Sequence, residues 1–170
     1  NGYIQYDGSK HQPGMYAVVL PGSKYFEFIH DKEVVDMYVA DQNDLIGSMK
    51  INKSVNNDVF YKYITFMTEH KKKMTELNKQ YEAAAENSPE REKIKAESKV
   101  LNDEVIAYQK KVVAENTGRF IAVLITMTMD IQLPEPPKNA QGIITDSNYV
   151  YNYYVKHYWD GVDFKDPRIV

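Results

Sequence analysis

Residues 54–118 read SVNNDVFYKYITFMTEHKKKMTELNKQYEAAAENSPEREKIKAESKVLNDEVIAYQKKVVAENTG, and their periodicity decides the fold. From Phe60, apolar or aromatic residues recur at Tyr63, Met67, Met74, Leu77 and Tyr81, with His70 in the intervening seam position. The steps alternate between three and four, which is a helical seam and not the period of two that a strand requires. The spacing predicts a helix over 57–86, with Asn56 or Asn57 as its N-cap. A helix of that length spans ~45 Å at ~1.5 Å per residue. Ser88-Pro89-Glu90 restarts the pattern, because Ser suits an N-cap and Pro is tolerated where its missing N–H has no intrahelical partner. A second seam follows at Ile94, Ser98, Leu101, Val105, Tyr108 and Val112, predicting a helix over 89–116. Two such seams joined by a tight break form an antiparallel hairpin. Its distal part is rich in Lys and Glu, so the tip near Ala83-Ala84-Ala85 is expected to project into water.

Upstream, residues 1–52 read as short strands between turn signals. The candidates are Tyr3–Tyr6, Met15–Leu20, Tyr25–Ile29, Glu33–Val39 and Ser48–Ile51, punctuated by Asp7-Gly8, Pro13-Gly14 and Pro21-Gly22. Spacing of this kind predicts an antiparallel meander. Five short strands make a thin layer that needs a cover or further strands upstream of Asn1.

Downstream, Gly118 stops the second helix. Residues 119–127 are the most apolar stretch and fit either a buried strand or a buried helix. With a helix stop before it and no turn to a partner strand, a helix over about 118–130 is preferred. Pro134, Pro136 and Pro137 end it in an extended loop. Ser147 is placed to cap a last helix over 148–159, followed by a turn-rich tail. The expected fold class is therefore α+β. A small antiparallel β layer (an incomplete sandwich) occupies 1–56, and a mainly helical domain with the projecting hairpin occupies 57–170.

The chain has 170 residues, a net charge of −3 and no cysteine. Thiol nucleophiles, disulfides and redox dithiols are thereby excluded from these residues. No phosphate-binding Gly-rich loop or Gly-x-Ser-x-Gly elbow occurs. His11, His30, His70 and His157 share no metal-ligand spacing. Asp41, Asn43 and Asp44 resemble the start of a calcium loop, but Ile46 and Asn52 stand where Gly and Glu are required, so a solvated turn is expected. His70 could be a buried acid–base group. With no carboxylate partner evident in the sequence, a half-buried structural histidine is preferred. Lys71-Lys72-Lys73 lies among residues 69–111, which carry ten basic and nine acidic side chains. That mixture reads as a solvated face, and no nucleic-acid partner is expected. Catalytic, cofactor-binding and metal-binding residues are therefore expected to be none.

The candidate recognition surface is Tyr149, Tyr151, Tyr153, Tyr154, Tyr158 and Trp159, six aromatic side chains within eleven positions. Such residues serve as interface anchors, and equally as core-boundary residues with a ring packed and a hydroxyl in water.

Several segments resemble a known family. Gly14–Pro21, Tyr25–Ile29 and Ser54–Asn57 with Phe60-Tyr61 resemble the N-terminal β domain of Bacteroidetes envelope thiol–disulfide oxidoreductases. Met127–Pro137, Tyr153–Asp160 and Val162–Arg168 resemble the helical domain of unknown function that follows it. In that family a thioredoxin-like domain with the Cys-x-x-Cys dithiol comes next, and the β domain has strands that would precede Asn1. The resemblance implies a location in the periplasm or cell envelope. It also implies an accessory role, positioning the redox domain or making a protein contact such as dimerisation. The partners expected are a thioredoxin-like domain or a second copy of the chain. The rival expectation is a stand-alone module that binds an envelope peptide or glycan.

Overall fold

The computed structural model describes residues 2–169 and has an α+β fold. Its elements are β1 (Gly14–Val19), β2 (Tyr25–His30), β3 (Asp36–Val39), β4 (Met49–Lys53), α1 (Val55–Ala83), α2 (Pro89–Glu115), α3 (Phe120–Thr128) and α4 (Tyr149–His157).

The strands form two separate antiparallel ribbons, β1 with β2 and β3 with β4, and not one meander. In the first, Gly14 pairs with His30 and Val19 with Tyr25 around a turn whose Gly22 and Ser23 have φ of 79° and 59°. In the second, a register shift at Asp36/Met37 bends the pair. The expected strand at Tyr3–Tyr6 does not form. Tyr3, Ile4 and Tyr6 are 86%, 82% and 74% exposed, and among the described residues no neighbouring strand pairs with them. A strand with no ladder partner leaves its backbone to water.

The hairpin is present. Every residue of both seams is buried or half-buried, whereas Lys71, Lys72 and Lys73 are exposed. α1 begins two residues before the expected start because Ser54, and not an asparagine, is its N-cap. Ser54 Oγ accepts from the Asn57 N–H at 3.1 Å. Ser88 caps α2 through the Arg91 N–H, with Pro89 in the first turn as expected. At the tip, Ala83 and Ala85 are exposed, but Ala84 is buried. The Arg91 side chain donates to the Ala84 carbonyl at 3.0 Å and lies over the Tyr81 ring.

The apolar run 119–127 is helical. α3 spans Phe120–Thr128, shorter than expected at both ends, and it supplies Phe120, Ile121 and Ile125 to the centre of the core. Those residues pack with Ile29, Tyr63 and Val112, so the core lies where the base of the hairpin, α3 and β2 meet. On α1 the core reaches outward only to Met67. Beyond it the hairpin packs on itself through Leu77, Ile94 and Leu101.

Polar side chains fix how these parts meet. The Asn57 side chain accepts from the Ile29 N–H at 2.7 Å and donates to the Ile29 carbonyl at 2.8 Å, behaving as one residue of an added strand. Tyr61 Oη donates to the Glu27 carbonyl at 2.9 Å. The Glu33 carboxylate accepts from the Val55 and Asn56 N–H groups, filling the anion-favouring start of α1. Asn56 Oδ1 accepts from the Ile121 N–H at the start of α3. Gln109 donates to Tyr63 Oη, which also meets Thr128 Oγ1, tying α2, α1 and α3 together. Among the described residues no buried side-chain nitrogen or oxygen lacks a partner.

Candidate functional site

α4 emerges from the long connection after α3, in which the only pairing is a bridge between Lys138 and Ile144. The helix starts after Asn148, whose side chain makes no capping bond. The Asp146 carboxylate instead accepts from the Asn148 N–H at 2.9 Å. Ser147 does not cap it, and the helix ends at His157, so Tyr158 and Trp159 lie in the following turn and not within the helix. That turn is closed by His157 Nδ1 and Asp160 Oδ2 at 2.6 Å.

No residue of α4 is buried. The six aromatic side chains divide into two rows. Tyr149 and Tyr153 are half-buried and stack along one side with His157, with centroids 6.4 Å and then 4.2 Å apart. The second row runs from Tyr154 to Tyr158 at 5.3 Å, Trp159 at 4.6 Å and Phe164 at 5.3 Å. These four rings are exposed to differing degrees, from Tyr154 at 43% to Phe164 at 65%. Tyr151 stands apart at 69% exposed. The structure thus brings five of the six candidate aromatics into two short rows and leaves Tyr151 outside them. Phe164, absent from the expected set, completes the exposed row. Its position after a turn gives no helical spacing by which to find it.

The tail beyond the row is anchored. A Cβ on Gly161 would come within 3.2 Å of Thr126 Cγ2 on α3, so the backbone passes close there and the absence of a side chain matters. Arg168 pairs with Asp166 at 2.6 Å and with Asp31 at 3.3 Å, over the face of Phe120. The Arg168 guanidinium hydrogen-bonded to Asp166 holds that carboxyl below the usual carboxylate range. The exposed row, a ridge formed by Tyr154, Tyr158, Trp159 and Phe164, is therefore carried on a segment fixed to the core at its C-terminal end.

The other candidates resolve into structural roles. His70 is 8% exposed and stacked on Phe66. It has a carboxylate partner after all: Glu104 Oε2, from the facing helix, lies 3.2 Å from Nε2, while Nδ1 meets the Phe66 carbonyl at 3.0 Å. The sequence could not show this pair because its members are 34 residues apart. Asp41 and Asp44 accept from the Asn43 and Gly47 N–H groups, and Lys24 Nζ donates to Asn43 Oδ1, as in a solvated turn. Among the described residues no three His, Cys, Asp or Glu side chains gather as a metal site, and no helix is long and apolar enough to cross a membrane. Burial pushes the Tyr61 hydroxyl up to about 12, helped by the Glu27 carboxylate, and burial also raises Tyr108.

Comparison with protein-family models, curated proteins and solved structures returns no match.

Proposed function

We propose that this chain is a non-catalytic accessory module of a thioredoxin-like envelope protein. In this reading the ridge Tyr154–Tyr158–Trp159–Phe164 is the surface on which a neighbouring thioredoxin-like domain is positioned. The observation that carries the reading is the ridge itself: four large rings contact one another in succession and are 43–65% exposed, on a segment anchored by Arg168. Burying one such ring stabilises a contact by ~1.5–3 kcal/mol, so a few suffice. The non-catalytic part rests on the absence of cysteine and on the surroundings of the histidines. Among the described residues neither His70 nor His157 hydrogen-bonds a nucleophilic Ser or Thr hydroxyl.

The rival reading, a stand-alone module that binds an envelope peptide or glycan, draws on the same rings, and of its two ligands their arrangement disfavours the glycan. Tyr158 and Trp159 are 89° apart and Trp159 and Phe164 62° apart, so they offer no flat platform for a sugar ring. A row of rings meeting edge to face offers apolar edges and grooves between them that suit protein side chains better.

Trp159 is the only tryptophan and reports on the ridge directly. Acrylamide should quench its fluorescence strongly in the 170-residue chain and much less in a polypeptide that continues into a thioredoxin-like domain. Equal quenching in the two would overturn the positioning role.

A further inference from the structure

His70 occupies a seam position of α1 at the point where the core ends. The core reaches outward only to Met67 on that helix, and beyond it the hairpin packs on itself. The imidazole is 8% exposed and lies on the Phe66 ring, which lies in turn on Tyr108 of α2. Its two nitrogens both face acceptors. Nδ1 is 3.0 Å from the Phe66 carbonyl oxygen, and Nε2 is 3.2 Å from Glu104 Oε2 across the hairpin. A carbonyl and a carboxylate have no proton to give, and a neutral imidazole has one N–H. Either neutral tautomer therefore satisfies one side and turns a lone pair towards the other acceptor. The imidazolium donates at both. Burial alone disfavours a charged ring, but Glu104, with a side chain 56% exposed, brings the opposite charge to 3.2 Å.

The surroundings leave this pair to itself. Among the described residues no lysine or arginine pairs with Glu104, and no other carboxylate lies within ion-pair distance of His70. On α2, Tyr108 reaches the imidazole through Phe66. On α1, the neighbouring Glu69, Lys71, Lys72 and Lys73 are exposed. The groove beside Glu104 is rimmed by Lys73 and Lys93 and by Glu76 and Glu97, charges that offset one another. His70 is also the only histidine of the hairpin. The other ion pairs of its distal half join Lys to Glu or Asp on the surface, and those groups keep their charges between pH ~5 and ~8.

We propose that the His70–Glu104 pair is a proton-operated latch: a protonated His70 holds the distal half of the hairpin closed, and loss of that proton lets this half open while the core stays folded. The closed hairpin offers the charged ring two acceptors and the open one offers it water, so closing and protonation favour each other. The latch contributes fully below the ordinary histidine value of pH ~6.5, and its contribution is lost as pH rises above that value. Both partners lie within the hairpin, and the latch does not depend on the role of the α4 ridge.

Amide hydrogen exchange of the 170-residue chain between pH ~5 and ~8, where histidine changes charge, tests this. Rates are read as protection factors, which removes the intrinsic pH dependence of exchange. Protection at Met74, Leu77, Ile94 and Leu101 should fall about ten-fold over that range, the effect of one charge-assisted hydrogen bond, while Phe120 and Ile125 keep theirs. Imidazole nitrogen spectra should show two ring N–H groups on His70 at the acid end and one at the alkaline end, changing together with the protection. In Glu104→Gln the side-chain amide accepts from the charged ring or donates to the neutral one, so the distal protection should no longer vary with pH. His70→Phe keeps the aromatic stack, removes the titration and should give the same flat profile. If that variant fails to fold, Glu104→Gln, at an exposed side chain, carries the test. Glu97→Gln, on the same groove, should keep the wild-type dependence. Flat distal protection in the wild type overturns the proposal. So does a fall shared equally by Phe120 and Ile125, or a pH dependence that survives Glu104→Gln.

Discussion

Asn57 does the work of a strand residue with a side chain. It is fully buried, and its amide satisfies both backbone groups of Ile29 and reaches Ser54 Oγ as well. Asn57→Leu removes both partners of Ile29 and leaves a buried N–H and a buried carbonyl unpaired. Unpaired buried groups cost ~1–3 kcal/mol each, so a loss of about 2–4 kcal/mol is expected from urea unfolding. A change under ~0.5 kcal/mol would mean that Ile29 finds water or another partner. Tyr61 beside it gives a pH signature. Its pKa is about 12 in the folded chain and near 10 when unfolded, so between those values the folded form holds the proton and the unfolded form has lost it. Stability from this group is present below pH ~10 and lost as pH rises through ~12. Tyr61→Phe should be slightly less stable at neutral pH, by ~1 kcal/mol for the lost bond to Glu27, yet lose less stability above pH ~10. Parallel alkaline profiles for wild type and variant would contradict the assignment. Neither role was legible in the sequence. An asparagine before a helix reads as a cap, and only the fold reveals that its amide faces a strand edge.

At the scale of elements, legibility followed the number of residues that repeat one instruction. α1 and α2 each carry six or seven seam positions in phase, so an error at any one changes nothing. The β region carries four to six residues per strand, and which strand pairs with which depends on caps from α1 that lie far along the chain. Tyr3–Tyr6 has the pattern of a strand and no neighbour, and the pattern alone does not make one. In α4, aromatic density marked the candidate surface, but Phe164 joined it through a turn without periodicity. The hairpin itself yields a graded prediction. Its distal half packs only helix on helix and lies outside the core, so hydrogen exchange should be slowest near Tyr63 and Val112 and fastest near Ala85. Leu101→Ala, in that distal half, should cost about 2–3 kcal/mol, the low end for a buried leucine because the solvated pair can close around the gap. It should speed exchange from Leu77 to Ile94 more than at Phe120. Uniform acceleration throughout would show that the hairpin opens only with the whole chain.

For the molecule as a whole, the chain's end returns to its beginning. Ile169 packs on the core, and Arg168 bridges Asp166 in the tail to Asp31 just beyond β2. All three charged side chains are at most 20% exposed, so removing Arg168 leaves two poorly hydrated carboxylates without their ion-pair partner. Breaking buried pairs of this kind costs ~3–5 kcal/mol. With water still in partial contact, Arg168→Ala is expected to cost about 2–3 kcal/mol. The pair also sets an acid limit. Asp166 has its pKa lowered in the folded chain by Arg168, so the unfolded chain takes up a proton first as pH falls. The stability it contributes is present above pH ~4, the ordinary carboxylate value, and is lost as pH drops through the lower folded value. Asp166→Asn abolishes that dependence, and its urea midpoint should approach that of wild type as pH falls from ~5 towards ~2. The same acidification should release the tail, and with it the ridge that Trp159 reports, before the helices unfold. Tryptophan anisotropy should therefore fall at a higher pH than helical circular dichroism. Coincident acid transitions in the two signals would show that the tail is held by the apolar contacts of Ile169 and not by its charges.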